Sequence, residues 1–284
     1  MDVAHLLLLL LFCLTIGHLI ALKVCSQKLD PRTAPLFISG WTLIGLAATA
    51  PVFGHLLPEG WAGLMAQPFL LGLAALKALL LYYICVISQK LMKVSLSSRH
   101  YVTPLSIGLI AIVNSFLGEN LAPVEWFSAL GLCLLAAAFF FKGHLGEMDR
   151  TSRIHYGLLV ALAVILSAID QVVLKETNWY ALQVVCNVVL LSVSLLMTGR
   201  DTSVLRGAFM TRAAAIAGIF YMATELVKFY QMVSINPVSV VVMVQAMTKP
   251  VILLLSAYIW HERTVKEQLL WGILALIITI PLFL

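Results

Sequence analysis

Charge is scarce in this chain. Asp, Glu, Lys and Arg make up 11% of its 284 residues, against 62% hydrophobic. Apolar runs of about 20 residues, the length that crosses about 30 Å of hydrocarbon, follow one another almost end to end, which excludes a soluble domain. Cysteine is sparse too: Cys13, Cys25, Cys85, Cys133 and Cys186 form no C-x-x-C pair, and no histidine stands at zinc-ligand spacing beside them. They read as free apolar thiols. The seven histidines make no H-E-x-x-H pattern, and there is no Walker A loop, no nucleophile elbow and no pair of aspartates in facing spans. Those absences argue against ATPase and intramembrane protease chemistry, so no enzyme activity, cofactor or metal is expected.

What is present reads as an all-α integral membrane protein of ten transmembrane helices, near residues 3–22, 34–54, 67–89, 101–117, 124–141, 154–174, 179–198, 209–232, 237–260 and 267–284. The first apolar run has Lys23 and Lys28 after it rather than before it, the wrong order for a cleaved signal peptide, so it is expected to remain as helix one. Fourteen of the eighteen lysines and arginines fall in or beside the odd-numbered connections, from Lys23, Lys28 and Arg32 to Arg263 and Lys266. The even-numbered connections hold Lys175 alone. Under the positive-inside rule the odd connections are cytoplasmic and both chain ends lie outside, in a plasma (inner) membrane. This placement accounts for the net charge of +5 without a nucleic-acid partner.

The remaining three lysines sit at membrane depth. Lys77 lies inside LLGLAALKALLLYYICV, Lys228 inside IFYMATELVKFYQMV and Lys249 inside VVVMVQAMTKPVILLLSAYIW. An ammonium there costs about 2.5 to 3.5 kcal/mol on insertion scales, so each is expected to face protein or a water-filled cavity.

The most hydrophilic stretch, residues 142–155, divides the spans five and five. The expected division is a first five-helix repeat over 1–143, a cytoplasmic linker over 144–153 and a second repeat over 154–284. An odd number of spans per half makes the second enter the membrane in the opposite sense, an inverted-topology repeat that frames a midplane site for alternating access. The halves close alike, with Gly118, Glu119 and Asn120 in one and His261, Glu262 and Arg263 in the other. Together with the opening ALKVCSQKLDPRTAPLFISGW, these features resemble the drug/metabolite transporter superfamily in its ten-helix EamA-type form, over the whole chain. A narrower likeness joins TKPVILLLSAYIWHE to the nucleotide-sugar and triose-phosphate branch, and implies that Lys249 faces a substrate. The EamA likeness also implies cytoplasmic termini, opposite to the charge distribution.

Candidate site residues follow from helical spacing. Tyr221, Glu225, Lys228 and Met232 share one face of the eighth span, which makes Glu225 and Lys228 neighbours able to pair. Glu225 is the candidate proton carrier. Gln245, Lys249 and Ser256 share a stripe on the ninth span, where Pro250 frees the carbonyl of Ala246. Lys77 is expected to face the same cavity as Lys228 from the opposite half. Asn114 offers a neutral hydrogen-bonding group, and Trp41, Tyr82, Tyr83, Tyr221 and Tyr230 are placed to line a cavity. Trp61, Trp126, Trp179, Trp260 and Trp271, near span ends, suit interfacial belts. Asp170, one turn from the end of the sixth span, is placed near water.

With three lysines against Glu225 the cavity reads as positive. The expected function is a secondary transporter of a small anionic or zwitterionic metabolite, phosphorylated or nucleotide-linked, working as a monomer or homodimer with protons or a counter-transported anion. Two alternatives stand beside it: a proton-coupled exporter of amines, amino acids or aromatic drugs, and a lipid flippase or non-transporting membrane subunit.

Overall fold

A computed structural model describes residues 3–94, 102–143, 150–234, 248, 251–261 and 265–279. Among them are twelve helices: α1 (Val3–Lys28), α2 (Thr33–Phe53), α3 (Leu56–Ala66), α4 (Pro68–Val94), α5 (Val102–Phe116), α6 (Pro123–Gly143), α7 (Arg150–Glu176), α8 (Trp179–Thr198), α9 (Thr202–Met210), α10 (Arg212–Ser234), α11 (251–259) and α12 (Val265–Thr279). Six of them, α1, α2, α4, α7, α8 and α10, are long and apolar enough to cross a membrane, and the protein is accordingly of membrane type.

The helix ends have local causes. Asn178 caps α8 by accepting from the Ala181 N–H at 3.0 Å, and Asp201 caps α9 by accepting from Ser203 and Val204. Gly118 (φ 89°) follows the end of α5 and Gly199 (φ 60°) stops α8, both in the left-handed region that a Cβ resists. Long helices overrun the apolar runs that signal them. α1 continues to Lys28, α4 to Val94, and α7 begins at Arg150, because basic side chains suit a helix that projects past hydrocarbon into headgroups and water. Inside the helices, hydroxyls bond back to carbonyls of their own helix: Thr15 to Leu11, Ser39 to Pro35, Thr42 to Ile38, Ser194 to Leu190 and Thr224 to Phe220. These groups are satisfied locally, so they place no demand on a neighbouring helix.

Side-chain ties separate the two ends of the bundle. At one end Thr177 bonds the Gly60 carbonyl, Asn178 the Leu56 carbonyl, and Lys175 the Leu117 carbonyl, drawing together the end of α7, the start of α8, α3 and the end of α5. At the other, Arg32 bridges Asp30 and Asp201, both at 3.0 Å, and Lys23 donates to the Met92 carbonyl, joining the ends of α1, α4 and α8. That second end carries most of the described basic residues. The first carries Lys175 beside Glu59, Glu119, Glu125 and Glu176.

Packing follows from small residues. Gly17 of α1 lies under Phe220 of α10, while Gly45 of α2 lies under Met222 and Gly218 of α10 under Trp41, each so close that a Cβ would clash. α10 therefore packs on both α1 and α2, α8 packs on both α2 and α4, α7 lies against α4 and α5, and α6 against α12. The short helices also pack on long ones, α3 on α8 and α9 on α2.

Candidate functional site

Two ion pairs meet at one aromatic ring. Glu225 and Lys228 stand one turn apart on α10, and Lys228 Nζ donates to both carboxylate oxygens, at 2.5 and 2.6 Å. The i,i+3 spacing predicted this pairing. Lys77 of α4 pairs with Asp170 of α7. Its side chain is 6% exposed and that of Asp170 11%. Phe229, fully buried on α10, has the Nζ of Lys77 and that of Lys228 each 4.6 Å from its ring centroid. A cation over an aromatic face gains roughly 0.5 to 2 kcal/mol, the more so where water is excluded. The ring thus helps to hold both ammonium groups at a depth where neither could stand alone.

Depth can be read from the helices. Lys77 is nine residues beyond the start of α4 and Asp170 six residues before the end of α7. At 1.5 Å per residue those offsets are about 14 and 9 Å. Both are measured from the bundle end where α3 packs on α8, as is the six-residue offset of Lys228 from the end of α10.

Polar groups surround the ion pairs. Cys186 of α8 lies within electrostatic reach of Lys77, Asp170, Glu225 and Lys228, and Tyr221 of α10 within reach of Asp170 and Glu225. Tyr221 also packs against the His18 ring of α1, centroids 5.1 Å apart. One residue beyond Cys186, Asn187 donates to the backbone and side-chain oxygens of Gln183, both at 2.9 Å. One turn before Asp170, Ser167 accepts from the Asn114 amide of α5 at 3.2 Å. The amide oxygens of Asn114 and Asn187, both buried, have no hydrogen-bond partner among the described residues. Acceptors left bare in this way mark places where water or a ligand donor would bind.

Several sequence expectations meet here and others do not. Lys77, Lys228, Glu225 and Tyr221 come together. Asn114 joins them through Ser167, as a link between helices. Trp41 instead packs on Gly218 between α2 and α10. Tyr82 is buried toward the opposite bundle end, edge-on to Tyr83 at 5.6 Å and within electrostatic reach of Arg32 and Asp30. Trp179 is no interfacial anchor: it is 4% exposed and packs edge-on to Phe53 at 5.3 Å. Gln245, Lys249 and Pro250 lie outside the described residues, as does the side chain of Met232. Ser256, the described member of their stripe, is buried and bonds to the Leu253 carbonyl.

The largest change concerns Asp170. Read as a residue near water, it is buried and partners Lys77. The signal in the sequence was the one acidic residue inside an otherwise apolar sixth span, a position that demands a cation. Its partnership alters the charge balance, since the described cluster holds two ammonium groups and two carboxylates and is formally neutral. No family model matches the chain, and no curated protein does.

Outside the membrane, hydrogen bonding from Arg32 holds the Asp30 carboxyl below the usual carboxylate range, and hydrogen bonds from Ser203, then the Val204 N–H, then Arg32 hold that of Asp201 below it. Both remain ionised at neutral pH, and the tie between the turn after α1 and the start of α9 is ionic there.

Proposed function

We propose that the chain is a secondary transporter whose two five-helix halves, of inverted topology, rock about the buried charges and expose them to either side in turn. On this reading α1, α2, α4, α5 and α6 are the spans of the first half and α7, α8, α10, α11 and α12 those of the second, with α3 and α9 at the membrane surfaces. The packing supports it. Exchanging each span with its counterpart in the other half maps α1 on α10 onto α7 on α4, and α2 on α10 onto α8 on α4. It also maps α9 on α2 onto α3 on α8, while α2 on α8 and α6 on α12 map onto themselves. These pairings repeat as an inverted repeat requires, whereas among the described residues α1 on α4 has no comparable counterpart in α7 on α10.

The observation that carries the function is the pair of ion pairs against Phe229. A packed bundle with no ligand gains little from such pairs, since well-packed apolar residues of similar volume are often as stable. A transport site, by contrast, needs charges that a substrate can re-partner. With both signs present and balanced among the described residues, the substrate that fits best is zwitterionic: its carboxylate replaces a carboxylate on a lysine and its ammonium takes the carboxylate released. An anion would leave that carboxylate bare and facing it. This narrows the anionic-or-zwitterionic expectation to the zwitterion. An amine exporter is the second reading, favoured by two carboxylates beside Tyr221 and Phe229.

A thermal-shift panel tests the site. Ligand at a hundred times its Kd adds about 2.7 kcal/mol to stability. Neutral amino acids or related zwitterions are expected to raise the melting temperature of detergent-purified protein, and to lose that effect in Lys77→Met/Asp170→Asn. Stabilisation by sugar phosphates or nucleotides alone would overturn the zwitterion assignment, and stabilisation by simple amines alone would favour the exporter.

A further inference from the structure

The two buried ion pairs differ in one respect that bears on coupling. Glu225 and Lys228 sit on the same helix, three residues apart, so they move together whatever the halves do. Lys77 and Asp170 sit on α4 and α7, one in each half. Resting on the transporter reading, the geometry points to Asp170 as the proton site of the transport cycle, with Lys77 as the residue that makes its occupancy depend on conformation; Glu225 is not the coupling carboxylate.

The argument is one of linkage. A proton can bias an equilibrium between two conformations only by the difference in its affinity for them. Glu225 keeps Lys228 in both, so its two affinities stay nearly equal. Asp170 keeps Lys77 only while α4 and α7 are in register. When they part, the carboxylate is left without a cation in apolar surroundings and takes one proton from the aqueous phase, about 9 Å away at the end of α7. No other bond is made or broken, and Lys77 retains its own proton. Proton binding thereby favours the separated state, and loss of the proton favours the tied one.

The groups facing Asp170 are consistent with this role. α4 presents Lys77, α8 presents Cys186, and α10 presents Tyr221 with Glu225 and Lys228 beyond Phe229. α5 contributes no titratable residue, only the Asn114 amide that holds Ser167 one turn away. Among the described residues Lys77 is therefore the one cation in direct contact with Asp170, and the one whose withdrawal changes its charge.

Infrared difference spectra of the protein in lipid, taken between pH 8 and pH 5, read the proton directly through the carboxylic-acid carbonyl stretch. The expected result is a band that grows as pH falls, survives Glu225→Gln and disappears in Asp170→Asn. The double variant Lys77→Met/Asp170→Asn, which strands no charge, serves as the folded control. A band lost in Glu225→Gln and kept in Asp170→Asn, or no band in the wild type, would overturn the assignment. A second arm follows labelled alanine, serine and leucine into liposomes with and without a pH gradient. In the wild type the ratio of flux with the gradient to flux without it should exceed one; a ratio of one in the wild type would also overturn it. If no amino acid moves in any protein, the substrate reading fails, and the infrared titration alone decides whether Asp170 is the proton site.

Discussion

Lys77 and Asp170 are each intolerable in hydrocarbon and acceptable together. Removing one member of a buried pair strands the other, at about 3 to 5 kcal/mol, whereas removing both is often nearly neutral. Lys77→Met is thus expected to yield less folded protein than Lys77→Met/Asp170→Asn, and Glu225→Gln less than Glu225→Gln/Lys228→Met, measured as the monodisperse peak in detergent and the midpoint of an SDS titration. Equal yields across either series would show that its residues do not interact. Phe229 adds a second check: Phe229→Leu keeps apolar volume but removes the ring face from both ammonium groups, and should cost roughly 1 to 4 kcal/mol, twice the value of one such contact. At this scale the sequence was partly legible. Glu225 with Lys228 follows from spacing along one helix, but Lys77 with Asp170 does not, because those residues are 93 apart in the chain and only the packing of α4 on α7 brings them together.

Among the elements, α3 and α9 show what the apolar pattern misses. At 11 and 9 residues they are too short to span, and their sequences read as connections. Their stability comes from docking. The joint of α3 with α8 rests on Asn178, which caps α8 and also donates to the Leu56 carbonyl at 2.6 Å, and on Gly60, where a Cβ would lie 2.5 Å from that of Ala181. Loss of an N-cap costs about 0.5 to 2 kcal/mol. Asn178→Ala should fall at or above the upper end, since it also deprives a carbonyl of its donor, and Gly60→Ala should destabilise through the clash; an unchanged SDS-titration midpoint in both would contradict the joint. At the opposite end, Asp30 and Asp201 have carboxyls depressed in the folded state, so their contribution is present above about pH 3.9, the unfolded reference, and is lost as pH falls below it. Melting temperature in detergent should accordingly drop more steeply below pH 4 in the wild type than in Arg32→Gln, in which both carboxylates lack the guanidinium.

For the whole molecule, the alternation of helix direction and the unequal charge of the two bundle ends follow from the sequence, because apolar run length and the placement of Lys and Arg are local properties. The charge balance of the described cluster was not legible, since it depends on Asp170. The contrast between the ends predicts that the basic end is cytoplasmic and that both termini lie outside. A C-terminal reporter that works only in the cytoplasm should be silent; full activity would reverse the orientation and leave the packing untouched. The central claim, that the two halves carry a small zwitterion past the charges around Phe229, is tested most directly by exchange flux. Purified protein in liposomes loaded with unlabelled amino acids is given the same compounds labelled outside. The account predicts saturable exchange of at least one neutral amino acid, abolished in Lys77→Met/Asp170→Asn although that variant remains folded. Exchange at the wild-type rate in the double variant, or exchange confined to nucleotides and sugar phosphates, would contradict it.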